Sequence, residues 1–191
     1  MTVDEYWDFV NRPENADRTF ELRGGEVIEM SRPTTPHGIV AANIGTDLTI
    51  YARRVRKGYV TLNDAGVVLK ENPGTVVGPD AAYFVGVGRF GDVAPKWSDH
   101  PPVLAVEVLS PNDTPGEVNE KVDDYLRGGV KVVWVVDYAR QTVTVYRSDQ
   151  SLRVVKNGGE LAGDPDLPGF ACPISQFFLL PEEFDPPPPA A

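Results

Sequence analysis

A mixed α/β fold, a sheet layered with helices, is what this 191-residue chain predicts, and three observations predict it. Val103 to Leu109 is an apolar run bounded by prolines, the pattern of a buried strand. Glu117 to Arg127 carries helical spacing and stops at Gly128-Gly129. Lys131 to Val136 is a second apolar run, and strand–helix–strand in this order favours a right-handed parallel crossover.

The other elements follow in chain order. Tyr6, Phe9 and Val10 give the first dozen residues the apolar side of a short helix. Thr19 to Arg23 and Glu26 to Met30 alternate around Gly24-Gly25, which predicts a β-hairpin. From His37 to about Arg56 apolar residues recur at helical spacing, Ile39, Ala42, Thr46 and Ile50 on one stripe and Val40, Ile44, Leu48 and Tyr51 on another. Val60 to Leu62 and Gly66 to Leu69 read as strands around a turn at Asn63-Asp64, and Val76 to Val85 as one further extended segment containing Pro79-Asp80. Gly86 to Pro102 is a loop by composition. Thr142 to Tyr146 and Leu152 to Val155 alternate as an antiparallel edge, with Val143, Val145 and Tyr146 either core or interface. We expect one domain over residues 1–180 and a proline-rich, disordered tail over 181–191.

Composition narrows the classes of function. Hydrophobic content of 41% and charged content of 24% suit a soluble globular protein. No apolar run approaches the ~20 residues that span a bilayer, and the acidic start, Met1 to Trp7, lacks the features of a signal peptide. A cytoplasmic protein without a membrane partner is the simplest expectation. The single cysteine, Cys172, excludes an intramolecular disulfide and has no basic neighbour in sequence, so it reads as packing. A net charge of −10 argues against indiscriminate nucleic-acid binding. Arg53, Arg54, Arg56 and Lys57 are either a local basic patch or solvated cations complementing a helix end. Gly86 to Gly91 does not open a βα turn, so it is no dinucleotide fingerprint. His37 and His100 lack zinc-ligand spacing, and no serine sits in a nucleophile elbow.

The chemistry concentrates on three residues. Asp80 ends an extended segment, Glu107 lies inside an apolar strand, and Lys121 lies on the helix that follows. A charged carboxylate in a hydrophobic strand is costly unless paired. Val118, Val122 and Tyr125 form the stripe that packs on the sheet, and Lys121 borders it, so the helix can return an amine toward the carboxylates. Magnesium takes few protein carboxylates, several waters and phosphate oxygens. Asp80 and Glu107 suit that role, with Lys121 orienting a water or stabilising developing phosphate charge.

From Phe20 to about Arg147 the chain resembles the PD-(D/E)XK nucleases, and most closely the Uma-type restriction endonucleases of bacteria. The matching pieces occur in order: Phe20 to Met30, His37 opening a helix, Pro79-Asp80, Glu107 to Pro111, Lys121 with Tyr125 and Gly129, and Val133 to Asp137. The resemblance implies a restriction-endonuclease-like mixed central sheet flanked by helices, DNA as substrate, Mg2+ or Mn2+ as cofactor, and a homodimer. It implies Asp80 and Glu107 as metal ligands and Lys121 as the catalytic lysine, displaced to the helix because Leu109 occupies the superfamily's simplest lysine position. It implies catalytic-site places for Glu21 and His37. The basic residues usual after the Ser-Pro pair are replaced by Asn112 to Glu117, which weakens the expected grip on phosphate.

Each residue also has a plainer reading. Asp80 holds a turn, Glu107 pairs with Lys121 structurally, Lys121 snorkels to water, Glu21 is a solvated hairpin residue, and His37 only opens its helix. Two function classes follow: a metal-dependent endonuclease on DNA, or a catalytically silent nucleic-acid- or protein-binding module that retains the fold.

Overall fold

A computed structural model describes residues 1–184. Val3–Val10 forms α1, closed at its start by a capping box between Thr2 and Glu5. The diglycine hairpin follows as β1 (Thr19–Arg23) and β2 (Glu26–Met30). Both turn glycines have positive φ, 57° at Gly24 and 88° at Gly25, as a two-residue turn with right-handed strand twist requires. Alternation along β1 sends Leu22 beneath α1, against Tyr6 and Val76, and Glu21 to the opposite face.

Thr35–Val55 forms the long helix α2. Of its two predicted stripes, Val40, Ile44, Leu48 and Tyr51 are buried, whereas Ile50 is exposed. Tyr59–Leu62 (β3) and Val67–Lys70 (β4) flank the Asn63-Asp64 turn.

The segment expected as one strand from Val76 to Val85 is two. Thr75–Val77 (β5) joins β2-β1-β5-β4, a four-stranded antiparallel sheet, while Ala81–Phe84 (β6) joins a different, six-stranded one. The break falls at Gly78-Pro79-Asp80, where proline has no N–H for a ladder. Gly78 also lies so close to the β3–β4 turn that an added Cβ would stand 2.7 Å from the Asp64 backbone oxygen.

Leu104–Val108 (β7), α3 (Pro115–Arg127) and Val132–Asp137 (β8) form the predicted crossover, with β7 and β8 parallel. Thr142–Arg147 (β9) and Leu152–Lys156 (β10) complete the six-stranded order β10-β9-β8-β7-β6-β3, in which every other pairing is antiparallel. The sheet is therefore mixed. α2 covers one face, against Tyr83, Val106 and Trp134, and α3 covers the other, where Val122 and Tyr125 meet Ala105, Val133 and Val135. Val143 and Val145 belong to the core rather than to an open face, in one buried cluster with Leu161, Leu167 and Phe170 from the chain beyond β10.

The loop after β6 is partly anchored: Trp97 stacks on Tyr6 at 5.1 Å between ring centroids. Cys172 is buried on a small ribbon of Glu160–Ala162 (β11) and Ala171–Pro173 (β12). Pro181–Glu183 forms a short 3-10 turn within the stretch expected as tail. The remainder of that expectation, 185–191, lies outside the described residues.

Candidate active site

The crossover from one sheet to the other sets the first acid. Asp80 stands directly before β6, and its Oδ2 accepts the Val108 backbone N–H at 2.7 Å from the end of β7. It therefore braces the neighbouring strand rather than its own turn. His37, two residues into α2, places Nε2 3.3 Å from Asp80 Oδ1. The imidazole is buried, and Nδ1 has no hydrogen-bond partner among the described residues. The hydrogen bond to Asp80 raises the His37 pKa against the opposing effect of burial.

Glu107 shares its face of β7 with Ala105 and Leu109, the face covered by α3. Its two oxygens have separate partners. Lys121 Nζ lies 2.8 Å from Oε2, and the Tyr125 hydroxyl donates to Oε1 at 2.5 Å. Residues 121 and 125 are one helical turn apart, so one stripe of α3 supplies both. Lys121 also reaches Glu21 Oε1 at 3.0 Å, and that oxygen accepts the Gly78 N–H at 3.1 Å. Glu21, which alternation alone leaves as readily solvated, is 4% exposed.

Charge balance is uneven. Burial pushes the Glu107 carboxyl up to about 8; the Lys121 ammonium opposes this, and Asp80 and Glu21 add to it. For Lys121, burial acts downward but the attraction of Glu107 and Glu21 outweighs it, so the amine stays protonated. The Tyr125 hydroxyl is held well above its ordinary range by burial and then by Glu107, which keeps it a donor.

The structure brings all five expected residues, Glu21, His37, Asp80, Glu107 and Lys121, to one cleft of about 520 Å³ between the β1–β2 hairpin and the start of α3. Two further residues act on the site, Asp64 at its rim and Tyr125 through Glu107. In sequence Tyr125 belongs to the packing stripe and to the piece shared with the family, and neither indicates that its hydroxyl meets Glu107. Asp64 reads in sequence as a turn residue. In fact it adopts a left-handed conformation (φ 54°) at the cleft rim, and partial desolvation followed by the Asp80 charge raises its pKa. No local signal marked Asp64, because aspartate in a left-handed turn position is ordinary turn chemistry.

The rim is acidic as well. Glu29, Asp113, Glu117 and Glu120 join Glu21, Asp64, Asp80 and Glu107, against Arg23, Lys121 and His37. Those cations are engaged, Arg23 by Asp124 at 3.0 Å and the other two as described. Among the described residues no three His, Cys, Asp or Glu side chains are set to hold a metal unaided. The donor set nevertheless fits a hard divalent cation, which uses one or two carboxylates plus water. Glu107, kept mostly protonated at neutrality by its burial and its acidic neighbours, is the kind of oxygen such a charge would ionise. The basic residues at the end of α2 do not join the cleft. Arg53 lies 16 residues beyond His37, ~24 Å along the helix axis.

A crystal structure described as "a putative nuclease belonging to DUF820 from Anabaena variabilis" matches with a TM-score of 0.75 at 19% identity, over 93% of this chain and 97% of that one. At this identity the likeness is one of fold. No curated protein matches the chain. The Uma2 family, described as "Putative restriction endonuclease", matches residues 4–175, a span that contains every cleft residue named above. The chain belongs to the Uma2 family.

Proposed function

We propose that the protein is a metal-dependent endonuclease that hydrolyses DNA phosphodiester bonds. The observation that carries this reading is the convergence of Glu21, Asp80 and Glu107, from strands or strand ends of two sheets, with Lys121 in one acidic cleft. Asp80 and Glu107 would hold Mg2+ or Mn2+. When bound, that ion supplies Lewis-acid stabilisation of phosphate charge and a water of lowered pKa.

The chain's own groups do the rest. An ammonium has three donors; Glu21 and Glu107 take two of those on Lys121, leaving one for a water or a phosphate oxygen. Glu21 serves as the brace that aims Lys121. His37 holds Asp80 from the side opposite the strand and keeps one carboxylate oxygen oriented. The family description supports a nuclease, and an enzyme that cuts both strands is served by two sites, so a homodimer is part of the reading. Equilibrium sedimentation showing two copies supports that part, and a monomer at all concentrations removes it.

The deciding experiment is calorimetric titration with Mg2+ and Mn2+ of the wild type, Asp80→Ala and Glu107→Ala, paired with cleavage of linear and supercoiled DNA. The expected result is binding and cleavage in the wild type and loss of both in each variant, with unchanged circular dichroism. A wild type that neither binds metal nor cleaves, with or without DNA present, removes the reading. The engaged cations and the acidic rim favour a second reading, a catalytically silent binding module. That reading gains if Glu107→Ala keeps partner binding while the wild type cleaves nothing.

A further inference from the structure

Glu107 is gripped from above as well as lying in its strand. Lys121 takes Oε2 at 2.8 Å and Tyr125 takes Oε1 at 2.5 Å, both from one side of α3. Tyr125 is fully buried, in one cluster with Val122, Val133 and Ala105 in the layer under the helix. A phenol with no exposed surface has little freedom in a close-packed layer, so its hydroxyl is a fixed point. Lys121, by contrast, is a flexible stem whose charge is shared with Glu21. Of the two donors on Glu107, only Tyr125 is dedicated to it.

We infer that Tyr125 is a positioning residue that fixes the rotation of the Glu107 carboxylate, so that the lone pairs its two donors leave free face the cleft. The inference rests on the metal reading above and specifies which side chain outside the ligand set makes that site competent. Without the phenol, Glu107 still has Lys121, but one oxygen is free to swing. The cost then falls on divalent-ion affinity and on the chemical step, while the packing around the ring persists. Removal of such an outer partner typically weakens metal affinity ~10–100-fold.

The test uses the full chain and Mn2+ or Mg2+ alone. Tyr125→Phe deletes the hydroxyl and keeps the ring. Val122→Ala, one turn away in the same layer, opens a cavity without touching Glu107 and controls for loosening of the helix. Calorimetry should give Tyr125→Phe an affinity ~10-fold or more below wild type, with Val122→Ala within about twofold of wild type at a comparable loss of melting temperature. In cleavage assays Tyr125→Phe should lower kcat and leave KM for DNA nearly unchanged. Equal metal affinity in wild type and Tyr125→Phe overturns the inference and leaves the metal reading standing. Parallel losses in both variants also overturn it, because helix packing alone then explains the effect. A wild type that binds no divalent ion overturns the metal reading and this inference with it.

Discussion

Glu107 sets two measurable behaviours at the scale of single residues. Folded, it holds its proton to about 8, against an ordinary 4.5, so it binds protons more tightly native than unfolded. Its contribution therefore destabilises the native state as pH rises from about 4.5 through 8. Divalent-ion binding must displace that proton. Affinity is expected to strengthen roughly tenfold per pH unit between pH 6 and 7 and to level off above about 8, with close to one proton released at pH 6. Calorimetry in buffers of different ionisation enthalpy measures both. Lys121→Met leaves Glu21 and Glu107 without their shared cation, an expected loss of ~3–5 kcal/mol at pH 8. The loss should change by less than ~1 kcal/mol between pH 8 and pH 5.5, because Glu107 without the Lys121 charge keeps its proton across that range, in urea unfolding followed at both pH values. The pairing of these two residues was legible in sequence because a charge inside an apolar strand demands a partner, and a lysine bordering the next helix's buried stripe can supply it. Asp64 and the Tyr125 hydroxyl were not. Each owes its place to contacts across the fold, Asp64 to Gly78 and Tyr125 to Glu107, and the local pattern of each already had a sufficient explanation.

At the scale of elements, the site depends on how α3 begins and where the chain changes sheets. Thr114 caps α3 through the Glu117 N–H, and Glu117 reaches back to the Thr114 N–H at 3.0 Å. Thr114→Ala should cost ~1 kcal/mol in chemical denaturation. Gly78→Ala should cost more, ~1–3 kcal/mol, because its Cβ must push the Asp64 turn away. The same substitution should weaken metal binding, since Asp80 and the Glu21-bound amide of Gly78 share the step between β5 and β6. Periodicity identified both helices and the hairpin because their buried faces are local. It could not show that Val76 to Val85 divides between two sheets, since alternation reads the same on either side of a Gly-Pro step.

For the whole molecule, the distribution of charge governs how a polyanion is met. The net charge is −10, the cleft is lined by acids, and the cluster at Arg53 to Lys57 sits at the far end of α2. Without divalent ions, DNA affinity at physiological salt should be weak, and its dependence on salt concentration shallow, corresponding to one or two phosphates at ~0.9 per contact. Adding Mg2+ should raise the affinity, the reverse of ordinary competition between a cation and a basic surface. Fluorescence anisotropy of a labelled duplex, with and without Mg2+, distinguishes the two. Among the described residues no helix is long and apolar enough to cross a membrane.

Lys121 has one further consequence, because the two carboxylates it joins belong to different sheets, Glu21 to the four-stranded one and Glu107 to the six-stranded one. The residue is a stitch across a seam, and the stitch can be read amide by amide. The Val108 N–H is held by the Asp80 carboxylate and the Gly78 N–H by Glu21, so hydrogen exchange at these two positions reports on opposite sides of the join. In Lys121→Met the Gly78 amide should exchange faster while amides in the middle of β8 keep their protection. The hairpin sheet would then be opening as a unit of its own, ahead of global unfolding.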